Sequence, residues 1–137
     1  MMRGEAMAAS WRVAGCPVSG FLALARDRDV HDWLVATGWQ SDGSSASTDL
    51  VMGVRIGRPG VEWANRAADA HDRAYEISRR LGGLTRAHRR AADDLYRDLV
   101  IAALEAHIEG PLLRLGRLRA HIRYAGLRLG GWWSWRP

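Results

Sequence analysis

Three stretches in the second half of the chain place apolar side chains three or four residues apart, which is the spacing of one face of an α-helix. These stretches are residues 61–81, 85–108 and 111–129. Gly82-Gly83 and Gly110-Pro111 separate them, and both pairs are typical of helix ends and helix starts. The pattern predicts a mainly α-helical protein with a three-helix core, short connections and antiparallel neighbours.

The pattern also predicts which side chains of each helix face the core. In the first helix these are Trp63, Ala67, Ala70, Ala74, Ile77 and Leu81. In the second helix they are Ala92, Leu95, Leu99, Ala102 and Ala106. In the third helix they are Leu115, Leu118, Ile122, Ala125 and Leu129. Arginines occupy the other faces of the third helix, so this helix is amphipathic and basic.

The first 37 residues give a weaker pattern. Residues 21–37 predict a short or broken helix that ends before Gly38. For residues 1–20, a poorly ordered arm and a short strand around Trp11 to Val13 both remain open. We therefore expect an irregular N-terminal region before the helical core.

Residues 40–49 are rich in serine and small polar side chains, which predicts a loop. Apolar residues from Leu50 to Ile56 predict a short strand, which Gly53 weakens. A chain of 137 residues fits one domain, so these segments are assigned to a single domain, 1–137.

The composition is that of a soluble globular protein, with 47% apolar residues. Cys16 is the only cysteine, which excludes an internal disulfide framework and favours a reducing compartment. No stretch reaches the roughly eighteen apolar residues that a transmembrane helix needs. The sequence shows no complete signal peptide either. These features predict a soluble, cytoplasmic protein.

The charge of the chain is strongly basic, and all twenty basic residues are arginine. The formal net charge of +5 favours an acidic partner, and the excess lies near the C-terminal end. An anionic membrane surface or a phospholipid fits this charge on an amphipathic helix. Nucleic acid fits the charge alone, and because no recognition motif accompanies it we do not expect a nucleic-acid partner. Trp132, Trp133 and Trp135 follow the last helix, where a core position and an interfacial position both remain open.

A histidine and an aspartate on the first predicted helix are the clearest candidates for chemistry. His71 and Tyr75 are four residues apart and share a helix face, whereas Asp72 points about a quarter-turn away. A neutral imidazole can act as general base toward water, and an adjacent carboxylate can bind calcium. Tyr75 can hydrogen-bond a second carboxylate from a neighbouring helix, with Asp93 and Asp94 as candidates. Such a contact would fix the tautomer of the imidazole.

The segment His71-Asp72-Arg73-Ala74-Tyr75, followed by Ala92-Asp93, resembles the phospholipase A2-like domain of the parvovirus capsid type. The resemblance covers roughly residues 57–99. It implies that His71 is the catalytic base, that Asp72 is a calcium ligand, and that Tyr75 and Asp93 orient the histidine. By the same resemblance, carbonyl groups of the Gly57-to-Gly60 turn would complete the calcium site.

A second resemblance covers residues 67–135. Arg89-Arg90-Ala91-Ala92-Asp93 and Leu127-Arg128-Leu129-Gly130-Gly131-Trp132-Trp133 are similar to segments of uncharacterised phage proteins that also carry His-Asp-x-x-Tyr. This resemblance implies a phage or prophage origin. It assigns no reaction, so a non-catalytic virion or assembly protein, with other virion proteins as partners, stands as the alternative to a lipid ester hydrolase.

The same residues are also compatible with three different roles. Asp93 can form an exposed helical ion pair with Arg89 or Arg97, each four residues away. His71 and Tyr75 can be a buried pair whose only role is structural. In the third role, His71 and Asp72 belong to a metal-dependent phosphohydrolase whose first histidine is His31.

Overall fold

The computed structural model of this protein describes residues 1–40, 58–82 and 84–130, with the side chains of the second range described from Arg66 onward. The described residues form helices and their connections and contain no strand. In chain order the helices are α1 (Arg3–Ala14), α2 (Val18–Arg26), α3 (Arg28–Ala36), α4 (Arg58–Leu81), α5 (Arg86–His107) and α6 (Pro111–Gly130). The prediction of a mainly α-helical fold is confirmed.

The three long helices begin and end close to their predicted bounds, because glycine and proline mark the ends. Gly82 follows α4 with φ of 70°, and Gly110 precedes α6 with φ of 71°. Both are left-handed conformations that glycine adopts without steric cost. Pro111 then occupies the first position of α6, where its fixed φ suits a helix start.

The N-terminal region is more regular than the sequence predicted. Trp11 and Arg12 lie inside α1, so the strand at Trp11 to Val13 is wrong, and a helix also replaces the poorly ordered arm for most of this segment. The short or broken helix predicted over 21–37 is two helices, α2 and α3, which meet at Asp27. The side chain of Asp27 accepts a hydrogen bond from the Val30 amide at 3.1 Å and caps the start of α3.

The six helices pack around two groups of buried side chains. The N-terminal cluster joins α1, α2 and α3 to one face of α4 and to the start of α5, through residues that include Phe21, Leu34, Tyr75, Ile77 and Ala92. The C-terminal cluster joins α4, α5 and α6, through residues that include Ala67, Tyr96, Val100, Leu104 and Ala120. The core therefore extends beyond the three long helices that the sequence suggested.

The predicted core face is correct for α4 from Ala67 to Ile77, partly correct for α5 and wrong for α6. Leu81 is only partly buried, and the side chain of Trp63 lies outside the described residues. Ala67, Ala70, Ala74 and Ile77 are all buried. On α5 the buried face is rotated from the predicted one and consists of His88, Ala92, Asp93, Tyr96, Val100 and Leu104. On α6 the predicted core residues Leu115, Leu118, Ile122 and Leu129 are exposed. Gly116 and Ala120 are buried instead, because small residues let α6 approach α5 closely.

Several predictions fall on residues that the structure does not describe. These are the loop from 41 onward, the strand at Leu50 to Ile56, the position of Gly57 and that of Trp132, Trp133 and Trp135. Among the helices that are described, none combines the length and the apolar character needed to cross a bilayer.

Candidate active site

A buried hydrogen bond between α4 and α5 lies at the centre of the site. Nε2 of His71 is 2.7 Å from Oδ1 of Asp93, and no part of Asp93 reaches solvent. The two residues face each other because both lie on the faces that the two helices bury against one another. The carboxylate accepts from the Nε2–H group, which places the acceptor lone pair of the imidazole on Nδ1.

Tyr75 contributes the second hydrogen bond to the same carboxylate oxygen. Its hydroxyl donates to Oδ1 of Asp93 at 2.7 Å, and its ring lies 4.4 Å from that of His71, centroid to centroid. Because Tyr75 follows His71 by one helical turn, both side chains approach Asp93 from α4. The structure thus brings together His71, Tyr75 and Asp93, as the sequence predicted.

Two arginines complete the environment of Asp93. The sequence suggested Arg89 only as a partner in an exposed ion pair, and it did not predict the contact with Arg128. Nη1 of Arg128, on α6, lies 2.9 Å from Oδ2 of Asp93. Nε of Arg89, one turn before Asp93 on α5, lies 3.8 Å from the same oxygen. Arg89 also donates from Nη2 to the carbonyl oxygens of Leu127 and Arg128, at 3.0 and 2.8 Å. These contacts fasten the last turn of α6 to α5.

The buried environment excludes one of the roles that the sequence left open. Asp93 pairs with Arg89 inside the protein, so an exposed ion pair is wrong. Arg97 pairs with Asp94 and Asp98 instead. Asp94 accepts a hydrogen bond from the Tyr124 hydroxyl at 2.5 Å and is therefore the carboxylate that stays outside the site.

The pKa shifts of the pair follow from these contacts. Burial alone would raise the pKa of Asp93, but the hydrogen bonds from His71, Tyr75 and Arg128 outweigh it and lower that pKa. Burial alone would lower the pKa of His71, but hydrogen bonding and the charges of Asp72 and Asp93 outweigh it and raise that pKa. Asp93 is therefore a permanent carboxylate at neutral pH, and His71 is a stronger base than a free imidazole.

The other edge of the His71 ring lies toward the surface. Nδ1 is 3.9 Å from Oδ1 of Asp72, whose side chain is 31% exposed. The Asp72 carboxylate therefore lies at the long end of an ion pair with the imidazole and helps to raise the pKa of His71. His71 thus lies between a buried carboxylate at Nε2 and a partly exposed one near Nδ1.

Tyr96 and Arg123 place further donors beside this edge. The Tyr96 ring is 5.8 Å from that of His71, centroid to centroid, and its buried hydroxyl has no acceptor among the described residues. Burial raises the pKa of Tyr96, the charge of Arg123 and a hydrogen bond from its side chain oppose this rise, and the charge of Asp72 adds to it. Tyr96 therefore lies near both Asp72 and Arg123. Nε of Arg123 is also buried without an acceptor in the part of the chain described.

The predicted calcium ligands do not come together. Gly60 lies in the first turn of α4, twelve residues before Asp72 on the same helix. With about 1.5 Å of rise per residue, some 18 Å separate the two along the helix axis. Gly57 lies outside the described residues. Among the side chains that the structure describes, which in α4 begin at Arg66, no three histidine, cysteine or acidic groups lie together where they could hold a metal ion. Asp72 and Gly60 therefore do not fit one calcium ion.

The histidine proposed for a phosphohydrolase lies elsewhere. His31 is on α3 and packs edge-on against Trp39, with 5.7 Å between ring centroids. It forms no metal-binding group with His71 and Asp72 within the described ranges.

Comparison with protein-family models, with curated protein sequences and with solved structures gives no match for this chain.

Proposed function

We propose that this protein is a hydrolase of lipid esters, of phospholipase A2-like type, in which His71 is the general base. One observation carries the proposal: Asp93, fully buried, accepts hydrogen bonds from both His71 Nε2 and the Tyr75 hydroxyl at 2.7 Å. This is the orienting pair that the resemblance to the parvovirus capsid type implies. A phage or prophage origin, from the second resemblance, is part of the same proposal.

The reaction uses the imidazole edge that Asp93 does not occupy. Nδ1 of His71 accepts a proton from a water held between the imidazole and Asp72, and the water oxygen attacks the ester carbonyl carbon. The imidazolium then returns the proton to the leaving alkoxide, which gives a carboxylic acid and an alcohol. Asp93 stays ionised throughout and stabilises the transient imidazolium, as a buried carboxylate beside a histidine base does.

The negative charge that develops on the carbonyl oxygen needs donors nearby. We assign this role to the Tyr96 hydroxyl and Nε–H of Arg123, since both are buried without an acceptor in the described part of the protein. Calcium would supply the same stabilisation where it is bound. Because Gly60 and Asp72 do not fit one ion, no step of this mechanism passes through a metal.

A groove between α4 and α5 supports an apolar substrate. It has a volume of about 230 Å³ and is lined by Arg66, Ala67, Leu99, Ala103 and His107. Ala67 lies one helical turn before His71, so the groove ends roughly 6 Å along the helix axis from the proposed base, which does not itself line it. Its floor is apolar and Arg66 is exposed at its edge, which suits an acyl chain that carries an anionic head group.

The test is hydrolysis of a fluorescent phospholipid by the wild-type protein, His71→Gln and His121→Gln, each with added calcium and with a chelator. His121 is an exposed histidine on α6 and serves as the matched control. We expect hydrolysis by the wild type and the control, and at least a hundredfold loss in His71→Gln. Equal rates in all three proteins, or no hydrolysis by the wild type under either condition, would reject the proposal.

Circular dichroism of His71→Gln shows whether the loss of activity reflects unfolding. Should this variant unfold, Asp72→Asn replaces it, because the Asp72 side chain is partly exposed and its carboxylate lies beside the proposed water. We expect Asp72→Asn to remain folded and to lose most of the activity.

The alternative is a non-catalytic virion or assembly protein that uses the same helices structurally. The burial of His71, which is only 7% exposed, favours it, as does the link that Asp93 makes between α4, α5 and α6. On this alternative, His71→Gln destabilises the fold and the wild type hydrolyses no ester.

A further inference from the structure

The most exposed apolar surface of the described residues lies on α6. Five of the large apolar side chains that reach solvent belong to this helix: Leu112, Leu115, Leu118, Ile122 and Leu129. Leu118 and Ile122 are each 57% exposed, and Leu129 is 79% exposed. Single exposed leucines are ordinary, but a row of them on one helix indicates an interaction surface.

These side chains form a continuous stripe. With about 100° of rotation per residue, Leu115, Leu118, Ile122 and Leu129 fall within an arc of about 60°. We call these four residues the α6 stripe. It lies opposite the face that packs on α5, which is formed by Leu113, Gly116, Ala120 and Leu127. Helix α6 thus has two apolar faces, and within the described part of the chain only one of them packs in the core.

Arginines border the α6 stripe on both sides. Arg114 lies within about 40° of one edge of the stripe, and Arg119 lies at the same angle from the other edge. Helix α6 contains five arginines and no acidic residue over Pro111–Gly130. An arginine beside an apolar stripe can extend its alkyl chain along a lipid surface and place its guanidinium at the phosphate level.

We propose that the α6 stripe is the surface by which this protein binds an anionic phospholipid bilayer, with α6 lying parallel to the membrane plane. Charge complementarity selects this occupant. A second copy of the chain would bring two rows of arginine together with no acidic residue on either α6 to offset them, which is unfavourable. A bilayer that contains anionic lipid supplies both the apolar depth and the negative charge.

Membrane binding by the α6 stripe would bring a lipid ester hydrolase to its substrate. Only this role of the stripe rests on the proposed function. Helix α6 also carries Arg128, which contacts Asp93, so the membrane-binding helix and the proposed site form one connected unit. Binding itself does not depend on hydrolysis and is measured separately.

The experiment is flotation of the full-length protein with phosphatidylcholine vesicles and with vesicles that also contain phosphatidylglycerol. We expect binding to the mixed vesicles, weak binding to phosphatidylcholine alone, and loss of binding as salt rises. The double variant Leu118→Ser/Ile122→Ser should bind at least about tenfold more weakly, because it removes the apolar part of the stripe. Arg114→Gln/Arg119→Gln should lose most of the preference for anionic lipid.

Val35→Ser is the matched control, since Val35 is 49% exposed on α3 and lies away from α6. We expect it to bind like the wild type. Equal binding by the wild type and Leu118→Ser/Ile122→Ser would overturn the proposal. A wild-type protein that binds neither kind of vesicle would overturn it too. Sedimentation equilibrium would then show whether a second copy of the chain covers the α6 stripe, and a monomer would point to a segment of the same chain.

Two assays separate this proposal from the proposed function. Vesicle binding by a protein that hydrolyses no ester rejects the hydrolase and leaves the α6 stripe in place. Hydrolysis of a dispersed short-chain ester by a protein that binds no vesicle rejects the membrane-binding proposal and supports the hydrolase.

Discussion

Arg128 and Asp93 are 35 residues apart in the sequence and 2.9 Å apart in the structure, measured from Nη1 to Oδ2. This contact gives the buried carboxylate a cationic partner from a third helix. Without it, Asp93 would carry its charge in the core with neutral donors on one oxygen and the more distant Arg89 on the other. The pair therefore explains how a fully buried aspartate remains ionised between α4 and α5.

Replacement of Arg128 by glutamine should destabilise the fold by about 1–3 kcal/mol, because it removes a charged partner from a buried carboxylate. The magnitude is below that for a fully buried pair since the Arg128 side chain is 30% exposed. Arg117→Gln is the control on the same helix, where Arg117 contacts Glu105 at 2.8 Å on the exposed surface. It should change stability by less than about 0.5 kcal/mol. Urea unfolding of both variants measures the difference, and equal midpoints would contradict the role given to Arg128.

Stability should be greatest in moderately acidic solution. The pKa of Asp93 is lowered by folding, so its contribution is present above the unfolded value of about 3.9 and is lost as pH falls through the folded pKa. The pKa of His71 is raised by folding, so its contribution is present below the unfolded value of about 6.5 and is lost as pH rises through the folded pKa. Both contributions coexist between about pH 4 and 6.5. Thermal unfolding across pH should show this maximum, and His71→Gln should lose the decline on its alkaline side.

The rate of hydrolysis should rise with pH as His71 loses its proton, whereas the stability of the fold should decline. The general base must be neutral, so kcat/KM should rise with a midpoint above about 6.5, because the pKa of His71 is raised. Asp72→Asn removes one of the two carboxylates that raise it, and the midpoint of the residual activity should move to lower pH. A midpoint that stays in place in this variant would show that another group limits the reaction.

Tyr96→Phe should separate a catalytic role of the Tyr96 hydroxyl from a structural one. The hydroxyl donates to no acceptor among the described residues but lies within reach of the Arg123 side chain, so its removal should change stability by less than about 1 kcal/mol. If the hydroxyl stabilises the developing oxyanion, hydrolysis should fall by about 10²–10³. The two readouts, melting temperature and kcat, should therefore move independently. A fall in both would point to a packing defect instead.

Gly4 should tolerate no side chain. A Cβ at this position would lie 2.1 Å from the backbone oxygen of Asp29, where α1 crosses α3. We expect Gly4→Ala to destabilise the protein by about 1–3 kcal/mol through overpacking. Gly126→Ala, on α6 with open space around its Cβ position, should instead stabilise by about 0.5–1 kcal/mol. Guanidinium unfolding of both variants tests the crossing, and a neutral Gly4→Ala would show that α1 does not pack here.

The positions of the long helices could be predicted from the sequence, because glycine and proline mark helix ends through local backbone geometry. It failed on the buried face of α6, where periodicity alone favours the larger side chains. The structure uses Gly116 and Ala120, since close approach to Leu104 matters more than side-chain size: a Cβ on Gly116 would lie 3.1 Å from a Leu104 methyl group. Which of two apolar faces a helix buries depends on the shape of its partner, and no local pattern encodes that shape.

The same distinction applies to the site. His71 and Tyr75 share a helix, so their common face could be derived from spacing, and Asp93 followed from a motif. The positions of Tyr96 and Arg123 beside this group depend on how α5 and α6 are rotated, which the sequence pattern predicted incorrectly. Arg128 lies in the segment that resembles the uncharacterised phage proteins, but only the packing of α6 shows that its side chain reaches Asp93.

The hydrogen-bonded group of His71, Tyr75 and Asp93 lies between the two apolar clusters and helps to determine how α4 packs against α5. His71 lies between Tyr75, which belongs to the N-terminal cluster, and Tyr96, which belongs to the C-terminal cluster. A slip of α4 by one turn that brought Ala67 to the position of His71 would leave the Asp93 carboxylate facing a methyl group in place of the imidazole. The hydrogen bonds to Asp93 therefore favour the observed register of α4 against α5 over this one.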